Sequence, residues 1–410
     1  MTQTLFNRNF TLLVFGLASS LFGNIILRFA LSMYILEATG SATVFASLLA
    51  VSIIPTILLS PFGGILADRA NRRNIMVALD VISGISVLFF CFILSENNAV
   101  PAIGMILIVL SILGAFESPT VQACVPQMQE GDNIIRANAV VNQVAAVAGF
   151  VAPILGSIFY TMFGLYPILI ASIVCYFLTA LLERFIKLNY VPSNNKAGIW
   201  TIIKSDFSVS MRFIAKEQPY ILKLLLLVAA INFFTAGTAT VGMPFMIRNI
   251  LGLSATYYGA AESALGIAAI AGGIAAGLLV SNLKTRKLYL FLAALGVSFL
   301  PAGLAFFFNA EAVFSYASII SSFVLAQFLA SIFSIFALSI IQQKTPNELL
   351  GKVMAYVVTV SMCAQPFGQM IYGTMFDRLS DRAFLILIPT AIVLCLIGMA
   401  SKKTFGGLEK

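Results

Sequence analysis

The chain has 410 residues, of which 60% are hydrophobic and 10% charged, with 24 Lys and Arg against 16 Asp and Glu and no histidine. Mean hydropathy is +1.00, whereas a soluble domain averages about 45–50% apolar, so a water-soluble fold is excluded. Without histidine there is no Ser/His/Asp triad, no H-E-x-x-H helix and no Cys/His metal set, and no phosphate-cradling glycine loop with lysine follows a strand. Composition therefore argues against an enzyme and implies no cofactor.

Apolar runs recur at about the length, roughly 20 residues, that crosses about 30 Å of hydrocarbon. Each must satisfy its own backbone hydrogen bonds, so the runs predict helices, and the short alternating strands of a barrel are missing. Met1–Phe10 is too polar for a cleaved signal peptide. Span one is predicted over Thr11–Leu36, followed by the turn Glu37–Ser41; span two covers Ala42–Leu66 and carries Pro55 and Pro61. A charged stretch follows, Gly64-Ile65-Leu66-Ala67-Asp68-Arg69-Ala70-Asn71-Arg72-Arg73, which hydrocarbon cannot hold and which must turn at a membrane face. Spans three to six are predicted over Asn74–Leu94, Val100–Cys124, 134–160 and Leu165–Ile186.

The spacing G-x-L-x-D-R-x-x-R-R, carried by Gly64, Leu66, Asp68, Arg69, Arg72 and Arg73, resembles the signature loop between the second and third helices of the major facilitator superfamily. Asn71 stands at the position usually held by glycine and is the other residue that enters the left-handed region readily. The resemblance implies an all-α membrane protein with twelve transmembrane helices in two pseudo-symmetric six-helix bundles, parallel about an axis along the membrane normal.

The stretch 187–218 separates the N-terminal bundle, 1–186, from the C-terminal bundle, 219–410. Ile199, Ile203, Phe207, Met211 and Ile214 fall on one side of a helix there, and Lys204, Ser208, Arg212 and Lys216 on the other. That pattern predicts an interfacial amphipathic helix with Trp200 at the headgroup level, although Asp206 interrupts it and a solvated linker is the alternative. The second six spans are predicted near 219–247, 255–280, 288–308, 312–341, 353–376 and 383–401. Laid over the first half, Gly277-Leu278-Leu279 matches Gly64-Ile65-Leu66, but Ser281 and Asn282 stand where Asp68 and Arg69 do.

With loops assigned alternately to the two faces, Arg28 sits within a span and only Arg248, Arg378 and Arg382 of the 24 basic residues face away from the termini. This positive-inside bias predicts cytoplasmic termini in a bacterial plasma (inner) membrane, and it assigns the net charge of +8 to topology and anionic lipid, not nucleic acid. Cys91, Cys124, Cys175, Cys363 and Cys395 lie in or at the ends of apolar runs with no C-x-x-C pair, and read as small core residues.

Phe116-Glu117-Ser118-Pro119-Thr120, Val125-Pro126, Arg136-Ala137-Asn138-Ala139, Asp80, Pro346 and Gly351-Lys352-Val353 look like the drug-efflux branch that holds macrolide exporters and enterobactin-type siderophore exporters. Gly149, Pro153 and Gly156 in span five resemble a degraded antiporter motif, or are ordinary small-residue packing. What the resemblance implies is a monomeric secondary exporter of a small amphipathic solute, coupled to protons, with the charged turn and Asp80 acting as a latch between conformations. A pure topology role for the turn is the alternative.

Ionisable groups within spans are expensive and are functional candidates by default. Burial favours the neutral form of a carboxyl, so Glu117 and Glu262 are the candidate proton carriers, and Arg28 could pair with either. The arginine that such drug exporters carry in span four is missing near Glu117. Asn24, Asn138, Asn142, Asn232, Gln327, Gln365 and Gln369 are candidates to line a cavity, or else to make interhelical hydrogen bonds. A dedicated siderophore or metabolite exporter, a lipid transporter and a non-transporting sensor remain as rivals.

Overall fold

The structure, a computed structural model, describes residues 5–188, 208–279 and 285–408. Among these residues there is no strand. Twelve long helices follow one another: α1 (Arg8–Thr39), α2 (Ala42–Arg69), α3 (Arg72–Ile93), α4 (Ala99–Met128), α5 (Asp132–Phe163), α6 (Leu165–Arg184), α7 (Pro219–Ile250), α8 (Ala255–Leu279), α9 (Thr285–Phe307), α10 (Ala312–Lys344), α11 (Asn347–Arg378) and α12 (Phe384–Leu408). Eleven are long and apolar enough to cross a membrane. The exception is α11, whose 32 residues start with polar Asn347 and Glu348 and hold Gln365 and Gln369 midway.

Several helices overrun their apolar runs. At 32 residues α1 is about 48 Å long at 1.5 Å per residue, well beyond the hydrocarbon thickness. Prolines sit inside α2, α4, α5, α11 and α12, which membrane helices tolerate because neighbours re-satisfy the freed backbone groups. The α2–α3 turn is tighter than the sequence suggests. Asn71 is extended, with φ −68° and ψ 109°, and its side chain accepts a hydrogen bond from the Asn74 amide. It caps α3 instead of occupying the left-handed region, because an asparagine side chain satisfies an orphan helix amide where glycine has none to offer.

The chain divides into two compact units, Met1–Thr39 with Val51–Ile199, and Gly40–Ala50 with Trp200–Lys410. In the first, α1 packs on α4, α5 and α6, while α3 packs on α4 and α6. Small residues permit these approaches: a Cβ on Gly23 would meet Cys175 at 2.9 Å, and one on Gly63 would run into the Ala115 carbonyl and Pro119. Pro119 has no N–H to offer the carbonyl four residues earlier, so Ala115 O is left facing the bare backbone at Gly63.

In the second unit α9 packs on α10 and α12, α8 on α10, and α7 on α11. This unit takes the first turns of α2, where Asp377 of α11 binds the helix start. Ser41 Oγ donates to Asp377 Oδ2 at 2.6 Å, and the amides of Ala42 and Thr43 donate at 2.6 and 2.9 Å. Burial works to push the Asp377 carboxyl up, but the hydrogen bonds from Ser41, Thr43 and Ala42 prevail and hold it below the usual carboxylate range. The second half of α7 opens into π-helical turns over Ala236–Gly242 and Met246–Ile250. The aromatic rings of Tyr372 and Phe376 lie where Cβ atoms on Gly237 and Gly242 would be.

Most of the expected amphipathic helix, including Ile199, Trp200, Ile203, Lys204, Asp206 and Phe207, lies outside the described residues. Its described tail is helical over 208–212 and π-helical over Phe213–Glu217, with Phe213 and Ile214 buried and Arg212 exposed.

Candidate functional site

The first unit holds an open cavity of about 300 Å³ between α1, α4 and α5. Apolar Leu17, Leu21 and Leu110 share its wall with Ser20, Asn24, Arg28, Glu117, Gln122 and Asn142. Because Asn24 and Arg28 stand one turn apart, both project from one face of α1, and Arg28 Nε donates to Asn24 Oδ1 at 2.8 Å. Arg28 Nη2 donates to Ser111 Oγ at 3.2 Å, and Asn24 Nδ2 to the Tyr176 hydroxyl at 2.9 Å. Arg28 is thus held by neutral partners and acts on Glu117 through space.

Behind this wall lies a row of acids. Ser20 Oγ is 3.2 Å from Asp80 Oδ1 and 3.1 Å from Glu117 Oε1. Asp80 in turn reaches Glu183 of α6, side chain to side chain. Asp80 and Glu183 are 2% and 3% exposed, so neither opens on the cavity. Glu183 was not among the residues that sequence reasoning singled out, since beside Arg184 at the end of an apolar run it reads as a surface pair. A carboxyl on the face of α6 that carries Ser172, Tyr176 and Thr179, all buried, was the available signal.

The second unit has its own cavity of about 200 Å³, lined by Thr235, Ala239, Thr240 and Met243 of α7, Tyr258 and Glu262 of α8, Gln327 of α10 and Gln365 of α11. Here the wide turns of α7 bring Ala236, Ala239, Thr240 and Met243 to one wall, and π-helical bulges recur at functional positions. Glu262 is hydrogen-bonded by the Tyr258 hydroxyl. Gln365 Nε2 donates to Asn232 Oδ1 at 3.2 Å, which places Asn232 behind the glutamine that lines the cavity. Gln369, 5% exposed, and Asn138, exposed, do not line either cavity.

At the charged turn, Arg72 Nε donates to Ala67 O and its Nη1 to Ala123 O, both at 2.8 Å, tying the last turns of α2 to α4. Positive charge is favoured at such helix C-termini. Arg73 donates to Asn74 Oδ1, and Asp68 sits in the last turn of α2. A Cβ on Gly64 would meet nothing within 4 Å, so the close approach at this end of α2 belongs to Gly63. In α5, Gly156 lies against Ile26 and Phe29 of α1, Pro153 is buried, and Gly149 has open space around it.

A family model described as the Major Facilitator Superfamily matches residues 13–368. Macrolide efflux protein A of Streptococcus pyogenes is 21% identical over 386 residues, covering 92% of each chain. Among solved structures, a bacterial homologue of the iron transporter ferroportin, in its inward-facing state, is 17% identical with a TM-score of 0.72 over 99% of both chains. A POT family transporter is 12% identical, with a TM-score of 0.74 over 98% of both. At these identities the structural likenesses speak for the fold alone, but the family match spans most of the helices described above. The chain is a multi-pass membrane transporter belonging to the major facilitator superfamily.

Proposed function

We propose that this transporter exports an amphipathic small molecule, of the macrolide-like class, by alternating access coupled to inward proton flow. The observation that carries the reading is that each unit holds a cavity with largely apolar or uncharged walls and one carboxyl, Glu117 in the first and Glu262 in the second. Few polar contacts on an apolar wall suit bulky solutes. A carboxyl that changes protonation supplies the coupling, and the likeness to macrolide efflux protein A supports the direction and solute class. The charged turn of Asp68, Arg69, Arg72 and Arg73 is the latch that weights one state of the cycle. The protein works as a monomer in a bacterial inner membrane with both termini in the cytoplasm, as the basic-residue bias supports.

Arg28 in the first cavity favours a second reading, a dedicated exporter of an anionic metabolite. Substrate-stimulated proton release from purified protein separates the two, using cationic, macrolide-like and anionic compounds on wild type, Glu117→Gln and Glu262→Gln. Release by a macrolide-like or cationic compound, lost in one variant, is the expected result. Release by anionic compounds alone would favour the second reading, and silence with folded protein would overturn proton coupling.

A further inference from the structure

The row of acids behind the first cavity has too few donors for its acceptors. A serine hydroxyl carries one proton. Ser20 Oγ therefore donates to Asp80 or to Glu117, and its other contact is a hydrogen bond only when that carboxyl is itself protonated and donates back. Beyond Asp80 the shortage continues. Asp80 Oδ2 and Glu183 Oε2 are both buried with no N–H or O–H donor among the described residues, although the two side chains approach each other. Two ionised carboxylates at such a contact repel and cannot hydrogen-bond, whereas one proton between them satisfies both oxygens. Unsatisfied buried oxygens cost about 1–3 kcal/mol each, and more when charged. A proton held between the two carboxyls answers this shortage.

The alternatives fit less well. No set of three or more His, Cys, Asp and Glu side chains among the described residues is arranged to hold a metal ion. Among the described residues, no basic side chain acts on Asp80 or Glu183. Among the described residues, the titratable and charged groups that bear on the row are Arg28 of α1, Glu117 and Cys124 of α4, and Tyr176 of α6, while Arg72 at the start of α3 bears on Cys124. Arg28 spends its hydrogen bonds on Asn24 and Ser111, and Arg72 donates to backbone carbonyls.

Position adds a direction. Glu117 lines the cavity about 16 Å before the end of α4, Asp80 stands about 12 Å into α3, and Glu183 is the penultimate residue of α6, beside Gly16 near the start of α1. We propose that Glu117, Ser20, Asp80 and Glu183 form a proton-holding string that leads from the first unit's cavity to the end of the bundle where α1 begins and α6 ends. Asp80 and Glu183 share the stored proton and Ser20 passes it to or from Glu117. A proton moving inward leaves Glu117 for Ser20 Oγ as the hydroxyl proton passes to Asp80, the stored proton passes wholly to Glu183, and Glu183 releases it at the end of the bundle while Glu117 takes a new proton from the cavity. The inference deepens the proton-coupled reading above and rests on it for its role in transport, although the storage site stands by itself.

Infrared difference spectroscopy on full-length protein in lipid, between neutral and alkaline pH, tests the storage site without any solute. Wild type is expected to show a protonated-carboxyl carbonyl band at neutral pH. Asp80→Asn and Glu183→Gln should each lose the intensity of one carboxyl, and Ser20→Ala should shift the band without abolishing it. The proposal is overturned if folded wild type has no such band, if neither acid variant changes it, or if sodium or manganese ions collapse it at fixed pH, which would put a metal cation there instead. The wild-type measurement stands even where a variant fails to fold. A band that behaves as expected, beside silent substrate-stimulated proton release, would keep the string and reject the coupling.

Discussion

At the scale of single residues, Gly63 is the more constrained of the two glycines in α2, because a methyl group there would press on the Ala115 carbonyl and Pro119. Gly63→Ala is expected to destabilise the protein by about 1–3 kcal/mol through overpacking, seen as a lower Tm of purified protein, while Gly64→Ala leaves it unchanged. Equal melting of the two variants would show that α4 yields. The sequence offered both glycines side by side, and motif spacing drew attention to Gly64. What separates them is which one points at α4, and that depends on helix rotation. The same reason hid Glu183 while Glu117 and Glu262, isolated in apolar runs, were plain. Asn71 differed for another reason: a residue able to take the left-handed region still prefers a helix cap when a free amide lies three residues ahead.

At the scale of elements, the start of α2 is capped by a side chain more than 300 residues away in the chain. A carboxylate at a helix N-terminus is favoured by the exposed amides and by the helix dipole. Asp377→Ala should cost about 1 kcal/mol of stability by loss of this cap. The bound Asp377 carboxyl lies below its ordinary value, so its contribution is complete above about pH 4, where the unfolded chain is ionised too. It disappears as pH falls through the folded value. Thermal unfolding between neutral and acid pH should therefore show the gap between wild type and Asp377→Ala closing only at the acid end; a gap independent of pH would remove the charge from the explanation. In sequence Asp377 stands beside Arg378 and suggests a local surface pair. The π-helical turns of α7 were equally hidden, since Ala-Gly-Thr-Ala-Thr-Val-Gly fits an ordinary membrane span.

At the scale of the molecule, the number of helices and their order were legible because lipid leaves a chain little choice: each apolar run must close its own hydrogen bonds. The family was legible for the opposite reason, a charged turn that lipid forbids in an otherwise apolar chain. How the helices are rotated, and so which polar groups meet, was written in neither signal. With the charged turn as a latch, Asp68→Asn is expected to slow solute turnover at least tenfold while solute affinity stays within a few-fold, as measured by transport into everted vesicles beside equilibrium binding. Unaltered turnover would reduce the turn to a topology signal.

Glu117 stands in two places at once, on the wall that a solute would touch and at the head of the buried row of acids. Any guest that prefers one charge on that carboxyl must, by thermodynamic reciprocity, change its proton affinity by the same factor that the proton changes the guest's. With Glu117 as the proposed coupling carboxyl, selectivity and stoichiometry would cease to be separate properties of the transporter. Under the proposed coupling, a guest indifferent to the charge would bind and move no proton, occupying the site as an inhibitor, and the guests that drive the cycle would be those whose own chemistry notices whether Glu117 is ionised.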